Sequence, residues 1–339
     1  MLRRSFCSFA QHGPLVATFG GFRIHKTQQD NGVLHLVIDG PNKLNLLDDK
    51  FSKNLRCSME TINEMDAAAR AVVISAEPDK HFCAGLNLKK AGSLLFEDAT
   101  ATSKAKAAAS AALGLSNCQI TEQGQPAMRA QRVHRTIKTF QDAMSSVARC
   151  RVPVIAAIDG QCIGGGFNLA TACDIRYCTA KANFSLREAR VGVCADIGAL
   201  QRLPLIVGQG VARELAFTAR DIDADEAQKL GVVNKVFDSY DDCLKHAFSV
   251  AGIIASNSPL AVQGTKEIMN HDIEPKVQAS LDYVRMWNSA FLKSDDLVEA
   301  TIAFAQKRTP KFTDHVVSSN THPNLETSAK SPPSTGAKE

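Results

Sequence analysis

The spacing of apolar residues along the chain alternates between the patterns typical of strands and of helices. Apolar and polar residues alternate between residues 20 and 39, which predicts two strands, and the apolar run at 71–76 predicts a buried strand. Apolar positions spaced three and four apart predict amphipathic helices over 48–66 and 131–149. Strands that alternate with helices predict an α/β fold.

The second half continues this alternation. Residues 153–158 predict a buried strand that ends in a glycine turn, and a helix is predicted over 165–172. Strands at 174–179 and 183–187 precede a predicted loop over 188–198. Further predicted helices cover LQRLPLIVG, VARELAFTA, ADEAQKLGVV, 241–256, 259–270 and 275–308.

Composition divides the chain into segments. A core is predicted over 20–258, and it contains an Ala-rich, low-complexity insertion at about 89–130. A helical region is predicted to follow over 259–312. Residues 313–339 are rich in Pro, Ser and Thr, which predicts a disordered tail.

The N-terminal segment is basic and lacks acidic residues. No Asp or Glu occurs before Asp30, and Arg3 and Arg4 lie among Leu, Phe and Ser side chains. This composition predicts a mitochondrial transit peptide over 1–19 and a location in the mitochondrial matrix. A disordered basic terminus is the alternative. We see no apolar run long enough to span a bilayer, and expect no membrane span.

Charge argues against a nucleic-acid partner. The chain has 39 Lys and Arg against 35 Asp and Glu, but Arg3, Arg4, Arg23 and Lys26 are the only charged residues before Asp30. The remainder is therefore neutral. One Trp and three Tyr also leave few rings for stacking on bases.

The cysteines indicate a reducing compartment. Ten cysteines are scattered along the chain, and none forms a CxxC pair. This pattern disfavours a disulfide scaffold or a zinc site, and we expect no metal.

Two glycine-containing segments and two acids suggest enolate chemistry. The segments read HFCAGLNL (81–88) and PVIAAIDGQCIGGGFNLATACD (153–174). Glycines let backbone approach a ligand, and a helix that begins near Gly165 presents N–H groups to a negative charge. Glu188 and Asp196 follow, and two carboxyls of opposite protonation can move protons beside that charge. The alternatives are a tight strand–helix turn and two solvated loop acids.

These segments resemble the crotonase (enoyl-CoA hydratase/isomerase) superfamily, from about residue 20 to 312. TACDIRYC, the acid in ADIG, ELAFTAR and LDYVRMWN are most similar to its dienoyl-CoA isomerases. The resemblance implies a spiral of repeated ββα units with a C-terminal helical trimerisation region, in trimers or hexamers. It implies conversion of 3,5-dienoyl-CoA to trans-2,trans-4-dienoyl-CoA in fatty acid β-oxidation, with no cofactor beyond the coenzyme A of the substrate.

The resemblance also assigns site residues. It implies that the backbone N–H groups of Ala84 and Gly165 form an oxyanion hole for the thioester carbonyl. We favour Asp196 as the base at C2 and Glu188 as the acid at C6, although the sequence leaves the reverse open. The residues expected to bind substrate are Ala84, Gly85, Leu86, Asn87, Leu88, Gly165 and Asn168.

Two positions depart from the family pattern. Asn168 stands where hydratases resemble GGGxE and dienoyl-CoA isomerases GGGxD, and Asn87 replaces the Asp of AGxDL. An amide does not exchange protons near neutral pH, which disfavours hydration, but it can orient Glu188 or a substrate group by hydrogen bonding. The alternatives are a Δ3-Δ2-enoyl-CoA isomerase that uses Glu188 alone, an enoyl-CoA hydratase, and an inactive acyl-CoA-binding scaffold.

Basic residues near the C-terminus are candidates for the CoA phosphates. Lys307 and Arg308 lie in QKRTPKF, where related enzymes place basic residues near the nucleotide. Basic residues also serve as partners of helix C-termini, and that alternative stays open.

Overall fold

The structure, a computed structural model, describes residues 12–29, 31–65, 68–87, 126–292 and 294–312. Across these ranges no helix combines the length and the apolar character needed to cross a membrane. Leu88 and residues 89–125 of the predicted insertion lie outside them, as does the predicted tail.

The described strands form two sheets. In chain order they are β1 (His12–Phe19), β2 (Phe22–Thr27), β3 (Val33–Ile38), β4 (Ala71–Ala76), β5 (Val154–Ile158), β6 (Gln161–Ile163), β7 (Ile175–Thr179), β8 (Asn183–Ser185), β9 (Asp221–Asp223) and β10 (Lys235–Phe237). The large sheet has the order β1-β2-β3-β4-β5-β7-β10, and the small sheet has the order β6-β8-β9. β1 to β3 are antiparallel, whereas β3, β4, β5, β7 and β10 run parallel. Every residue of β3, β4 and β5 is buried, as expected for parallel strands covered on both faces.

Helices cover both faces of the large sheet. They are α1 (Asp49–Glu64), α2 (Pro126–Ala148), α3 (Gly165–Ala172), α4 (Ala199–Val207), α5 (Gln209–Thr218), α6 (Ala224–Lys229), α7 (Tyr240–Ser256), α8 (Pro259–His271), α9 (Glu274–Phe291) and α10 (Asp295–Ala305), with a 3-10 turn at Ala189–Val191. On one face, α7 buries Cys243, Ala247 and Ala251. On the other face lie α1, α2 and the wholly buried α3. The order strand–strand–helix recurs in β2-β3-α1 and β5-β6-α3, as the resemblance implies.

The prediction of one continuous helix over 275–308 is wrong. The structure has two helices there, α9 and α10. Ser294 caps the second by accepting a hydrogen bond from the Leu297 N–H, and Asp295 and Asp296 occupy its first turn. A serine cap and acidic residues favour the start of a helix, so they begin a new one here.

The N-terminal boundary also needs correction. β1 lies inside the predicted transit peptide (1–19), and it pairs with β2 from His12↔Thr27 to Phe19↔Phe22. The fold argues against cleavage after residue 19, because that would remove a strand from the sheet. Similarly, residues 126–130, which we assigned to the insertion, begin α2.

Candidate active site

A loop between β4 and α2 pairs with the segment before α1. Leu47 and Leu86 form a parallel bridge, in which the Leu47 N–H donates to Gly85 O (2.8 Å) and the Asn87 N–H donates to Leu47 O (2.8 Å). Backbone groups alternate in direction along an extended segment. The Leu86 N–H therefore points away from Leu47, towards the opposite side of the loop.

Glycines let this loop pack directly on the start of α3. A Cβ atom on Gly166 would lie 2.1 Å from Cys83 O, and one on Gly165 would lie 2.6 Å from Leu47 Cδ2. Gly85 and Gly164 have φ angles of +94° and +49°, which residues other than glycine rarely adopt. At Gly166 the glycine-rich turn is therefore a close contact between two backbones.

The assignment of Ala84 to the oxyanion hole is wrong. Its N–H donates to Leu44 O at 2.9 Å, so it is already used within the fold. Among the backbone hydrogen bonds of the described residues, the Leu86 N–H donates to no acceptor. Leu86 is therefore the better candidate from this loop.

Gly165 supplies a second free N–H. It is the first residue of α3, and the first N–H groups of a helix have no acceptor within that helix. All eight residues of α3 are buried. The positive end of the helix therefore acts in surroundings where water screens it little. Leu47 contacts both candidates, through its backbone at Leu86 and its side chain at Gly165.

Glu188 lies at this helix start. Its Oε1 atom is 3.6 Å from the position that a Cβ atom would occupy on Gly164. The same oxygen accepts a hydrogen bond from Asn168 Nδ2 at 3.0 Å. Its Oε2 atom is buried and finds no hydrogen-bond partner among the described residues. Burial raises the pKa of Glu188 from its usual 4.5 to about 7, and the nearby charge of Asp196 adds to this rise.

Asn168 fixes Glu188 in place. Its Nδ2 atom also donates to Gly164 O (2.9 Å), and its Oδ1 atom accepts from the Ala199 N–H (2.5 Å). These two backbone partners determine which end of the amide faces Glu188. The side chain is fully buried and has no group left to activate water. This hydrogen bond agrees with the role of orienting Glu188, one of the two roles predicted for Asn168.

Asp196 has a different environment. Its Oδ2 atom accepts a hydrogen bond from Asn288 Nδ2 at 2.6 Å. Burial raises the pKa of Asp196 from 3.8 to about 6, and the hydrogen bond from Asn288 limits that rise. Burial therefore brings the titration of both acids close to neutral pH.

The other substrate candidates differ in their surroundings. Gly85 is buried, whereas Ala84, Leu86 and Asn87 are partly exposed. Leu88 lies outside the described residues. Across those residues, no group of three or more His, Cys, Asp or Glu side chains could hold a metal ion.

The two basic candidates for binding a CoA phosphate differ in their ion pairs. Arg308 forms a paired contact with Glu299, with Nη1–Oε1 and Nη2–Oε2 distances of 2.5 and 2.9 Å. Its charge is thus already neutralised, which weakens its case as a phosphate ligand. Lys307 is exposed, and within the described residues it forms no ion pair.

Sequence reasoning missed Leu86 as the loop donor and Asn288 as the partner of Asp196. The motif LDYVRMWN, which ends at Asn288, was noted only for its resemblance. The sequence signal for Leu86 is its place after Gly85, but the choice between the N–H groups on either side of that glycine needs the pairing with Leu47.

Replacing Glu188 with Gln is expected to stabilise the fold at high pH. Because the folded pKa is raised from 4.5 to about 7, the contribution of Glu188 to stability is full below pH 4.5 and is lost as pH rises through 7. That shift corresponds to about 3 kcal/mol. We therefore expect the stability of Glu188→Gln relative to wild type to increase by about 2–3 kcal/mol between pH 4.5 and pH 8 in urea unfolding.

Glu299→Gln is the matched control for this measurement. Hydrogen bonds from Arg308 and the Lys311 backbone lower the pKa of Glu299 to about 2, so its loss should weaken the fold at pH 8. A relative stability of Glu188→Gln that does not change with pH would contradict the raised pKa.

Known proteins match most of the chain. The family model described as "Enoyl-CoA hydratase/isomerase" matches residues 28–121 and 119–315. A peroxisomal Delta(3,5)-Delta(2,4)-dienoyl-CoA isomerase of Arabidopsis thaliana is 38% identical over 85% of this chain and 95% of its own. The mitochondrial Delta(3,5)-Delta(2,4)-dienoyl-CoA isomerase of Homo sapiens is 37% identical over 83% of this chain and 79% of its own.

The solved structures agree on the fold. An enoyl-CoA hydratase from Mycobacterium avium subsp. paratuberculosis superposes with a TM-score of 0.68 at 23% identity, over 88% of this chain and all of the other. This likeness confirms the predicted crotonase-like α/β fold. With the family match and the two relatives, it leads to one conclusion: the chain belongs to the enoyl-CoA hydratase/isomerase family.

Proposed function

We propose that this protein is an isomerase that converts 3,5-dienoyl-CoA to trans-2,trans-4-dienoyl-CoA. The observation that carries the proposal is the pair of buried acids, Glu188 and Asp196, each held by its own amide and each with a raised pKa, near the N–H end of α3. The two relatives named as dienoyl-CoA isomerases support the same reaction.

The oxyanion hole consists of the N–H groups of Leu86 and Gly165. They bind the thioester oxygen as negative charge develops on it. Each donor of this kind contributes about 3–4 kcal/mol to such a transition state. Because both are backbone groups on a tightly packed loop and helix, they need no rearrangement during the reaction.

The two acids complete the reaction. Asp196, ionised, removes a proton from C2, and the electron pair first moves onto the thioester oxygen as an enolate and then returns to form the C2=C3 bond. The C3=C4 pair moves to C4=C5, and the C5=C6 pair takes a proton from Glu188 at C6. C2 and C6 are four bonds apart, about 5 Å, so two separate acids suit the two ends. The hydrogen bond from Asn288 favours the ionised form of Asp196, which supports this division of roles.

Hydration is the weaker alternative. It needs a second group that activates water beside Glu188. Asn168 stands at that position, and both ends of its amide are engaged by Gly164, Glu188 and Ala199.

We place the reaction in β-oxidation of unsaturated acyl-CoA in the mitochondrial matrix. One relative carries a mitochondrial name and another a peroxisomal one, so the compartment rests on the basic N-terminus. Lys307 is the remaining candidate for a CoA phosphate. No cofactor takes part, because the proposed steps need only proton transfer and hydrogen bonds.

The protein assembles as a homotrimer or as a hexamer made of two trimers. Its C-terminal helices expose large apolar side chains, which mark surfaces for association. Those on α8 and α9 are Leu260, Ile268, Met269, Tyr283, Met286, Trp287 and Phe291. Sedimentation equilibrium at the mass of one 36.5 kDa chain would contradict this assembly.

The test of the function is an ultraviolet assay of the purified protein with 3,5-octadienoyl-CoA. We expect rapid formation of the conjugated 2,4-dienoyl thioester. The same preparation is offered a 3-enoyl-CoA and a 2-enoyl-CoA. Turnover of the 3-enoyl substrate alone would indicate the Δ3-Δ2 isomerase, and hydration alone would indicate a hydratase. Binding of CoA esters without turnover of any substrate would indicate the inactive scaffold.

A further inference from the structure

Different parts of the fold hold the two acids. Glu188 is fixed by Asn168, which belongs to the buried core helix α3. Asp196 is fixed by Asn288, which belongs to the C-terminal helix α9. A change in α9 can therefore alter one proton-transfer group while the other stays in place.

Asn288 is built into this position. Its side chain is 2% exposed, and Nδ2 donates both to Cys194 O (2.8 Å) and to Asp196 Oδ2 (2.6 Å). Both partners are acceptors, so the NH₂ end of the amide must face them. One amide thus holds the backbone of the loop and the carboxylate that the loop carries.

A second amide ties the same loop to α9. Gln141 of α2 is buried, and its Nε2 atom donates to Asp196 O (2.7 Å) and Leu281 O (2.9 Å). Its Oε1 atom accepts from Arg285 Nη1 (3.0 Å). Leu281 and Arg285 both belong to α9, so this helix fixes the main chain of Asp196 as well as its side chain.

We propose that Asn288 is a positioning residue that keeps Asp196 ionised and aimed at the substrate. Through it, α9 determines whether the site moves protons at two distant carbons or at one end only. The inference rests on the proposed function, because it concerns the second proton-transfer group of that reaction.

The charges near Asp196 leave this role to Asn288. Glu188 and Cys194 are the titratable side chains coupled to it electrostatically. Arg285 reaches the loop through Gln141, and Arg202 of α4 packs on Gly198. In the part of the chain that the structure describes, no cation forms an ion pair with Asp196, so the amide supplies the stabilising contact.

Loss of the amide should change the pH dependence. A hydrogen bond to a carboxylate favours its ionised form, so removing the bond raises the pKa of Asp196 above its value of about 6. The base is then ionised only at higher pH. The acid limb of the pH profile for 3,5-dienoyl-CoA should move upwards by about one unit.

Asn288→Leu tests this inference, because Leu has a similar volume and no donor. We expect kcat for 3,5-octadienoyl-CoA to fall about 10- to 100-fold with little change in KM. The ratio of 3,5-dienoyl to 3-enoyl turnover should fall at least about tenfold, because the second reaction can proceed with Glu188. Asn288→Ser, which keeps a donor, should recover part of the rate and of the pH profile.

Ser289→Ala is the matched control on the same helix. The Ser289 hydroxyl donates to Arg285 O within α9, so this variant should behave as wild type. A different result would overturn the inference in favour of a purely structural role for Asn288. In that result, Asn288→Leu loses 3,5-dienoyl and 3-enoyl turnover equally, and the acid limb of its pH profile does not shift.

A measurement without substrate separates the inference from the proposed function. The infrared band of the protonated Asp196 carboxyl can be assigned by its absence in Asp196→Asn. Compared with the wild type, this band should titrate at higher pH in Asn288→Leu, and the shift should be smaller in Asn288→Ser. An unchanged titration would overturn the inference. Absence of diene formation by the wild type would overturn the proposed function instead. If Asn288→Leu fails to fold, Asn288→Ser carries both measurements.

Discussion

Asp196→Asn is expected to lower kcat for 3,5-octadienoyl-CoA by about 10²- to 10⁴-fold, the usual contribution of a positioned acid or base. The amide has nearly the same shape and can still accept a hydrogen bond from Asn288, so the loop should keep its place. It cannot take the C2 proton near neutral pH. Diene formation followed by ultraviolet absorbance in stopped flow gives the rate.

Hydrogen exchange at C2 separates the roles of the two acids. With 3,5-octadienoyl-CoA in D₂O, Asp196→Asn should lose isomerisation and should exchange the C2 hydrogen far more slowly than the wild type. Glu188→Gln should fail to isomerise but still exchange that hydrogen, because the base is intact. The reverse pattern would show that Glu188 is the base. Asp282→Asn makes the same chemical change on the exposed side of α9, and it should leave the rate unchanged.

Local pattern was enough to predict the helix start at Gly165 and the two acids. Glycine spacing, an apolar strand and an apolar context around Asp196 are all properties of neighbouring residues. The fold class followed from the alternation of strands and helices in the same way. These features depend little on distant parts of the chain.

The choice of oxyanion donor could not be made from local pattern. Ala84 and Leu86 flank the same glycine, and either N–H satisfies the motif. Pairing of Leu86 with Leu47, 39 positions earlier, determines which N–H is free. Likewise, Asn288 meets Asp196 from 92 positions away, so no window along the sequence contains both.

The errors at the chain ends have a related cause. Residues 12–19 follow the basic stretch that suits a targeting segment, yet they form a strand that pairs with β2. In the predicted 275–308 helix, the apolar period continues across the break. Only the capping contact of Ser294 with Leu297 shows where the second helix begins.

Gly166→Ala is expected to damage both stability and activity. The added methyl group would lie 2.1 Å from Cys83 O. That oxygen is backbone and accepts the Ile163 N–H at 3.0 Å, so it cannot rotate away. The loop and α3 must therefore separate, which moves the N–H groups of Leu86 and Gly165 apart. We expect about 1–3 kcal/mol lower stability and roughly 10²- to 10³-fold lower kcat.

A graded series of alanine substitutions tests this packing by thermal unfolding and the diene assay. At Gly165 the methyl group would meet Leu47 Cδ2, the end of a side chain that can rotate, so the loss should be smaller than at Gly166. At Gly210, in α5, no atom lies within 4 Å, and alanine should stabilise the helix by up to about 1 kcal/mol. Equal behaviour of all three variants would mean that the loop does not rest on the start of α3, and the oxyanion hole would lose its structural basis.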